Sequence, residues 1–282
     1  MDASNQQEHP ILQAQAWGVV FLEKSRGVEP GAIVIKEPRS MAAVLMPVDA
    51  AAALAATGPD SGDSLTIVWI PTEFTTPPSD ERGVEAWVEG GGDPLRQAPV
   101  RAGIRTVRVF WQTTRALIYA SAEQLQDAID AVIRFTVAQR ETIALETRMD
   151  SAWAHLDADA PLTHAVTSRH QKRQQHVNEM TEMVARMRVT YLRLSNSLEQ
   201  LDRTISESSK RLYSELTLAA GLYDRLDQLE EPIQFAQDQY ELANTRLIEA
   251  KNAAREHLHA ITEFGLELGI ILLLVFQIRQ FL

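Results

Sequence analysis

The sequence predicts an α+β protein: a mixed α/β domain first, a long helical coiled-coil or bundle region after it, and an apolar, transmembrane-type helix last. Three observations carry this. Short β-branched and apolar runs bounded by turn residues fill the stretch up to residue 121. Apolar residues at alternating spacings of three and four begin at Val177. The final block, FGLELGIILLLVFQIRQFL from Phe264, holds few charges. The expected division is 10–121 for the mixed domain, 122–260 for the helical region and 261–282 for the terminal helix.

In the first region, AWGVVFLE (16–23), AIVIK (32–36), AAVLMP (42–47) and LTIVWIP (65–71) read as strands, as do VEAWVE (84–89), VRVFWQ (107–112) and ALIYA (116–120). Glu29-Pro30-Gly31 and Gly58-Pro59-Asp60 supply turns between them. One helix fits among the strands. Asp49 can cap 50–57 because its carboxylate accepts the orphan amides of a first turn. Residues 72–83 and 90–103 read as loops, the second holding Gly90, Gly91, Gly92 and Pro94.

Composition changes at Ser121. Ser121 and Gln124 have capping-box spacing, and Leu125, Ile129, Val132, Ile133 and Val137 would share a face of the helix that follows. Pro161 ends that helix by removing a donor and restricting the residue before it. Val177, Met180, Val184, Met187, Tyr191, Leu194, Leu198, Leu201 and Ile205 then form the a/d seam of a coiled coil. Ser208 takes a seam position, the seam resumes at Leu212, Leu216, Ala219, Tyr223 and Leu226, and the four-residue step from Leu212 to Leu216 shifts its phase, so a helix bends there or two helices meet. Pro232, behind two glutamates, suits a helix start and predicts a hairpin about that point. From Ile233 the seam passes Ala236, Tyr240, Ala243, Leu247, Ala250, Ala254, Leu258 and Ile261 into the apolar block without a break signal.

The bulk figures set bounds. At 282 residues, with 45% hydrophobic and 23% charged side chains, the chain has the composition of a folded protein of about two units. A net charge of −11 argues against non-specific nucleic-acid binding. With no cysteine, thiol nucleophiles, disulfides and Cys-ligated metals are excluded. The polar start MDASNQQEHP has no basic region followed by an apolar one, so no secretory signal is expected there.

The terminal block is expected to anchor the protein in a membrane. Phe264, Glu267, Leu268, Ile270, Ile271, Leu272, Leu273, Leu274, Val275, Phe276 and Arg279 make up the segment, with Glu267 and Arg279 toward its ends, where the arginine stem can snorkel. A single span of this kind leaves the bulk of the chain on the cytosolic side. The alternative is a soluble cytoplasmic oligomer that buries this helix.

Candidate chemistry is sparse. His155, Asp157 and Asp159 lack a known ligand spacing and read as a solvated turn. Gly90-Gly91-Gly92 has neither a following Gly-Lys-Ser/Thr nor a helix cap and reads as a flexible loop. Glu256, His257 and His259 lack the i, i+4 histidine pair of a metalloprotease helix. Arg169, Lys172, Arg173 and His176 fall on one helix side as a patch for an anionic partner or a solvated face. No catalytic residue, cofactor or metal is expected.

Residues 240–278, YELANTRLIEAKNAAREHLHAITEFGLELGIILLLVFQI, are similar in pattern to tail-anchored families that carry an α/β domain, a helical hairpin and a final membrane helix. The required-for-meiotic-nuclear-division family is one, and the caspase- and repeat-associated components of bacterial conflict systems are another. The resemblance implies an anchor behind a folded domain and carries over no site residue. The expected function is a non-enzymatic, membrane-anchored scaffold or sensor that oligomerises through its helices, as a homo-oligomer or with a protein partner, and presents the α/β domain. The alternatives are a membrane-perturbing effector of a bacterial defence system and a soluble enzyme with a helical oligomerisation region.

Overall fold

The computed structural model describes residues 14–23, 31–56, 64–72, 81–92, 98–164, 173–200 and 205–281, without the side chains of 81–82 and 274–281. The fold is α+β, with an N-terminal sheet and long C-terminal helices. The elements are β1 (Gln15–Glu23), β2 (Ile33–Ile35), β3 (Met41–Val48), α1 (Ala50–Ala55), β4 (Ser64–Pro71), α2 (Glu81–Glu89), β5 (Val100–Ile104), β6 (Val107–Gln112), β7 (Arg115–Ala120), α3 (Ala122–Asp159), α4 (Gln174–Glu199), α5 (Glu207–Ala219) and α6 (Leu222–Phe281). Two compact units share them: Met1–Glu146 with Thr190–Leu229, and Thr147–Val189 with Glu230–Leu282.

The first unit holds a seven-stranded sheet of order β2-β3-β1-β4-β7-β6-β5. β4 and β7 run parallel, and every other pair is antiparallel. Strand side chains alternate between faces. Val68, Ile70, Leu117 and Tyr119 share one face with Val84, Trp87 and Val88 of α2, and Ala50, Ala53 and Leu54 of α1 pack against that cluster. Asp49 caps α1 as its position suggests, with Oδ2 accepting from the Ala52 amide at 3.0 Å. Trp87 ties the two short helices together by donating to the Ala53 carbonyl at 2.8 Å. On the other face α3 covers the sheet. Its central turns are buried nearly all round, from Ala128 to Ala138, as a helix packed on more than one side must be.

Two assignments change in this unit. Residues 84–89 are helical, not a strand. Val84, Trp87 and Val88 sit at i, i+3 and i+4 and are all buried, so the 3.6-residue period wins over the apparent alternation of VEAWVE. Residues 100–104, read as loop, form the edge strand β5 paired with β6. The turn joining them is Arg105-Thr106, with no glycine or asparagine, and Arg105 holds φ at 53°.

The three glycines after α2 form a packed turn, not a flexible loop. Gly90 and Gly91 amides donate to the Ala86 and Val88 carbonyls at 3.0 and 2.8 Å, and the Thr114 hydroxyl donates to the Gly91 carbonyl at 2.6 Å. A Cβ on Gly91 would lie 2.7 Å from Cγ of the buried Arg115, whereas one on Gly90 meets nothing nearer than 3.4 Å. Arg115 cannot easily yield. Its Nη1 donates to the Trp87 carbonyl at 2.9 Å and its guanidinium lies 5.1 Å from the Trp87 ring centroid. Gly91→Ala is therefore expected to cost about 1–3 kcal/mol, and Gly90→Ala to stay within about 0.5 kcal/mol of neutral. Equal shifts in urea midpoint for the two would refute this reading of the turn.

The helical region also departs from expectation. α4 ends at Glu199 and α5 begins only at Glu207, so the run from Val177 to Ile205 is not one helix. Ser206 caps α5, its Oγ accepting from the Ser209 amide at 3.1 Å. Ser209 is buried and Ser208 exposed, so the register places the other serine inward. Its hydroxyl donates to Asp130 Oδ2 at 2.9 Å. Gly221, at φ 62°, supplies the left-handed residue between α5 and α6. Arg225 on α6 clamps Glu146 of α3 in a bidentate pair of 2.7 and 2.6 Å. Pro232 lies inside α6 and starts nothing. Leu229 and Ile233, on either side of it, are both buried, and burial of that order outweighs the proline cost of about 3 kcal/mol.

The second unit is a bundle built from the last part of α3, the first part of α4 and the rest of α6. Met149, Ala152 and Leu156 of α3, Val177, Met180, Val184 and Met187 of α4, and Ile233, Ala236, Tyr240, Ala243 and Leu247 of α6 are its buried apolar residues. Trp153 and Phe235 stack with ring centroids 5.9 Å apart.

The expected membrane span is corrected here. Among the described residues no helix is long and apolar enough to cross a membrane, which overturns a membrane-anchored placement with the bulk of the chain on the cytosolic side. In the sequence the uninterrupted apolar run is Leu268 to Phe276, between Glu267 and Gln277, against a need for about 20 mostly apolar residues. The side chains of Leu274, Val275, Phe276 and Arg279 lie outside the described residues.

Candidate functional site

α6 is buried along one line and then loses its cover. Ile233, Ala236, Tyr240, Ala243 and Leu247 are each 2% exposed or less. From Lys251 to Leu273 every side chain except Gly269 is exposed. The spacing does not change at that boundary. Ala250, Ala254, Leu258, Ile261, Gly265, Leu268 and Leu272 continue the same line of threes and fours, so the apolar stripe of the arm extends the one the second unit buries.

Nine large apolar side chains of the arm are exposed: Leu258, Ile261, Phe264, Leu266, Leu268, Ile270, Ile271, Leu272 and Leu273, at 51–69%. Leu258, Ile261, Phe264, Leu268, Ile271 and Leu272 share the stripe face at 100° per residue, Leu273 and Leu266 lie beyond one edge of it, and Ile270 lies opposite its centre beside Glu263. Glu256, Glu263 and Glu267, spaced seven and four apart, form a narrow ridge on the opposite side. From Phe264 to Leu273 the arm is apolar except for Glu267, whereas Lys251, Arg255, His257 and His259 make its earlier turns mixed. An apolar surface of this extent marks an interaction site.

The other sequence-selected residues fall as follows. Of the seam, Val177, Met180, Val184, Met187, Tyr191, Leu194 and Leu198 are buried within the chain, Ile205 is half-buried before α5, and Leu201 lies outside the described residues. Arg169 and Lys172 also lie outside them. Arg173 and His176 do not form an open anionic-partner patch. Both face Asp159, at 2.9 Å from Oδ1 and 2.8 Å from Oδ2. That carboxylate is only 4% exposed, and Tyr240 donates to its Oδ2 at 3.4 Å. Burial, and then the charge of Asp159, push the Tyr240 phenol above its ordinary pKa and keep it a donor. His155 and Asp157 are exposed, but they sit in the last turns of α3 and not in a turn, and Asp159 is buried, so the solvated-turn reading is corrected. Among the described residues no group of three His, Cys, Asp or Glu is placed to hold a metal ion. Glu256, His257 and His259 are exposed on the arm.

No family model matches this chain. No curated protein matches it either. One solved structure it resembles is that of the full-length CmaX protein, at 14% identity and a TM-score of 0.31, over 92% of this chain and 82% of that one. A likeness at that score carries no argument about function.

Proposed function

We propose that this is a non-enzymatic scaffold that self-associates through the arm of α6 and presents its sheet domain on the resulting assembly. The exposed stripe carries the reading. It continues a line that the chain already buries, and every copy brings an identical one, so pairing between copies satisfies all of them at once. The area suffices. Burying an aliphatic side chain at about 25 cal/mol/Å² for 1.5–3 kcal/mol corresponds to roughly 60–120 Å². The eight of the nine that lie away from the ridge supply roughly 480–960 Å² per subunit, against about 800 Å² per partner in a standard interface. A two-helix seam covers one stripe and leaves Leu266, Ile270 and Leu273 in water. A bundle of more than two arms reaches Leu273 and Leu266 as well, while Ile270 stays in solvent beside the ridge of Glu256, Glu263 and Glu267.

Sedimentation of the full chain tests the proposal. The native protein should be an oligomer of more than two copies at micromolar concentration. Ile261→Glu with Leu268→Glu should weaken association at least ~100-fold, because each lost apolar burial is worth about 1.5–3 kcal/mol and each carboxylate must be desolvated. Glu256→Gln, on the ridge, should leave the mass unchanged. A monomeric native protein, or a stripe variant that associates like the native one, overturns the reading.

A further inference from the structure

The first unit contains a cavity of about 150 Å³ that the sequence does not signal. It lies where the β5–β6 turn meets the first turns of α3 and α5. Its apolar lining comes from Ile104, Val107, Ala128 and Leu212, the last three of them buried. Two cations and two carboxylates stand around it: Arg105, Arg211, Asp127 and Glu207. Volume and lining fit a small molecule with an apolar body and a few polar ends, since an apolar cavity of ~150 Å³ accommodates a ligand the size of benzene.

The charges are not equivalent. Arg211 donates to Glu207 at 3.2 Å one turn away, so those two neutralise each other. Arg105 and Asp127 have no ion pair with any described residue. Both line the cavity beside the Arg211–Glu207 pair. Arg105 is held there by an unusual backbone. Its φ of 53° suits glycine or asparagine, and arginine occupies the position instead. The turn is pinned from the next residue: the Thr106 hydroxyl donates to Gln124 Oε1 at 3.0 Å, and Ser121 donates to the same oxygen at 3.2 Å. Gln124 lines the cavity together with Arg105, and its amide oxygen accepts from both hydroxyls.

We infer that this cavity binds a free α-amino acid with an apolar side chain. The ligand carboxylate meets Arg105 and the Gln124 amide nitrogen, its ammonium meets Asp127, and its side chain rests on Ile104, Val107, Ala128 and Leu212. A carboxylate alone leaves Asp127 unmatched, and an amine alone leaves Arg105 unmatched, so the zwitterion is the species both ends select. This stands on observations separate from self-association and holds whether or not the arm assembles.

The test is equilibrium binding of L-leucine, L-isoleucine, L-methionine and L-phenylalanine to the full chain, with 4-methylpentanoate and 3-methylbutylamine as leucine lacking one end. At least one amino acid should bind saturably, and for leucine each truncated analogue should bind at least ~10-fold more weakly. Arg105→Gly suits the backbone, so it should melt no lower than the native chain while losing at least ~10-fold in amino-acid affinity and nothing in amine affinity. Asp127→Asn should do the reverse, sparing the carboxylate analogue. Absence of saturable binding for all four up to ~10 mM, or equal loss of both analogues in either variant, overturns the assignment.

Discussion

Trp111→Ala is expected to destabilise the first unit by about 3–5 kcal/mol, the largest single-residue effect in the protein. Trp111 is completely buried. Its ring meets Phe135 of α3 edge-on at a centroid distance of 4.9 Å, a geometry worth about 0.5–1.5 kcal/mol beyond the area buried. Its Nε1 donates to Thr136 Oγ1 at 2.8 Å, and that hydroxyl donates onward to the Val132 carbonyl at 2.8 Å. The indole thus joins sheet to helix by packing and by a hydrogen bond. Trp111→Phe separates the two. It keeps most of the ring, strips the donor from Thr136 and should cost about 1–2 kcal/mol. Urea midpoints at unchanged slope read both values. If alanine costs no more than phenylalanine, the α3 face is not where the sheet gains its stability.

Much of the sheet domain was legible because its strands obey local rules. β1, β3, β4, β6 and β7 are β-branched or apolar runs with turn residues between them, and α1 carries its capping aspartate at the first position a cap requires. The misses have identifiable causes. VEAWVE satisfies both periods over six residues, and only the sheet face that Val84, Trp87 and Val88 cover decides between them. β5 was hidden because its hairpin turn has arginine where a turn signal would be. Pro232 looks like a boundary, yet a helix whose flanking turns are buried tolerates it. The cavity beside Arg105 draws on residues from positions 104 to 212, a constellation that exists only after folding. The α6 arm is the opposite case. Its apolar character was plain in the sequence, while the exposure of its stripe among the described residues appears only in the structure.

Asp159→Ala is expected to cost the second unit about 2–3 kcal/mol. Met149, Ala152, Leu156 and Asp159 fall at spacings of three, four and three, and all are buried. A carboxylate at a core position of that stripe must be paired. Its partners come from the first turns of α4, three residues apart: Arg173 and His176, with Tyr240 completing the set. Arg173 lies 2.9 Å from Oδ1 but out of alignment for a hydrogen bond, so that pairing is charge attraction, whereas His176 and Tyr240 bond Oδ2 directionally. Breaking a fully buried ion pair costs about 3–5 kcal/mol. Here the side chains of Arg173 and His176 are 41% and 36% exposed, so water reclaims both once the aspartate is gone, and the cost drops below that range. Asp159→Asn keeps the oxygen for Tyr240 but loses the charge, and should fall near half the alanine value. A double-mutant cycle with Arg173→Ala should return a coupling of about 1 kcal/mol. A coupling near zero would mean that His176 and Tyr240 alone hold the carboxylate and that Arg173 adds nothing measurable.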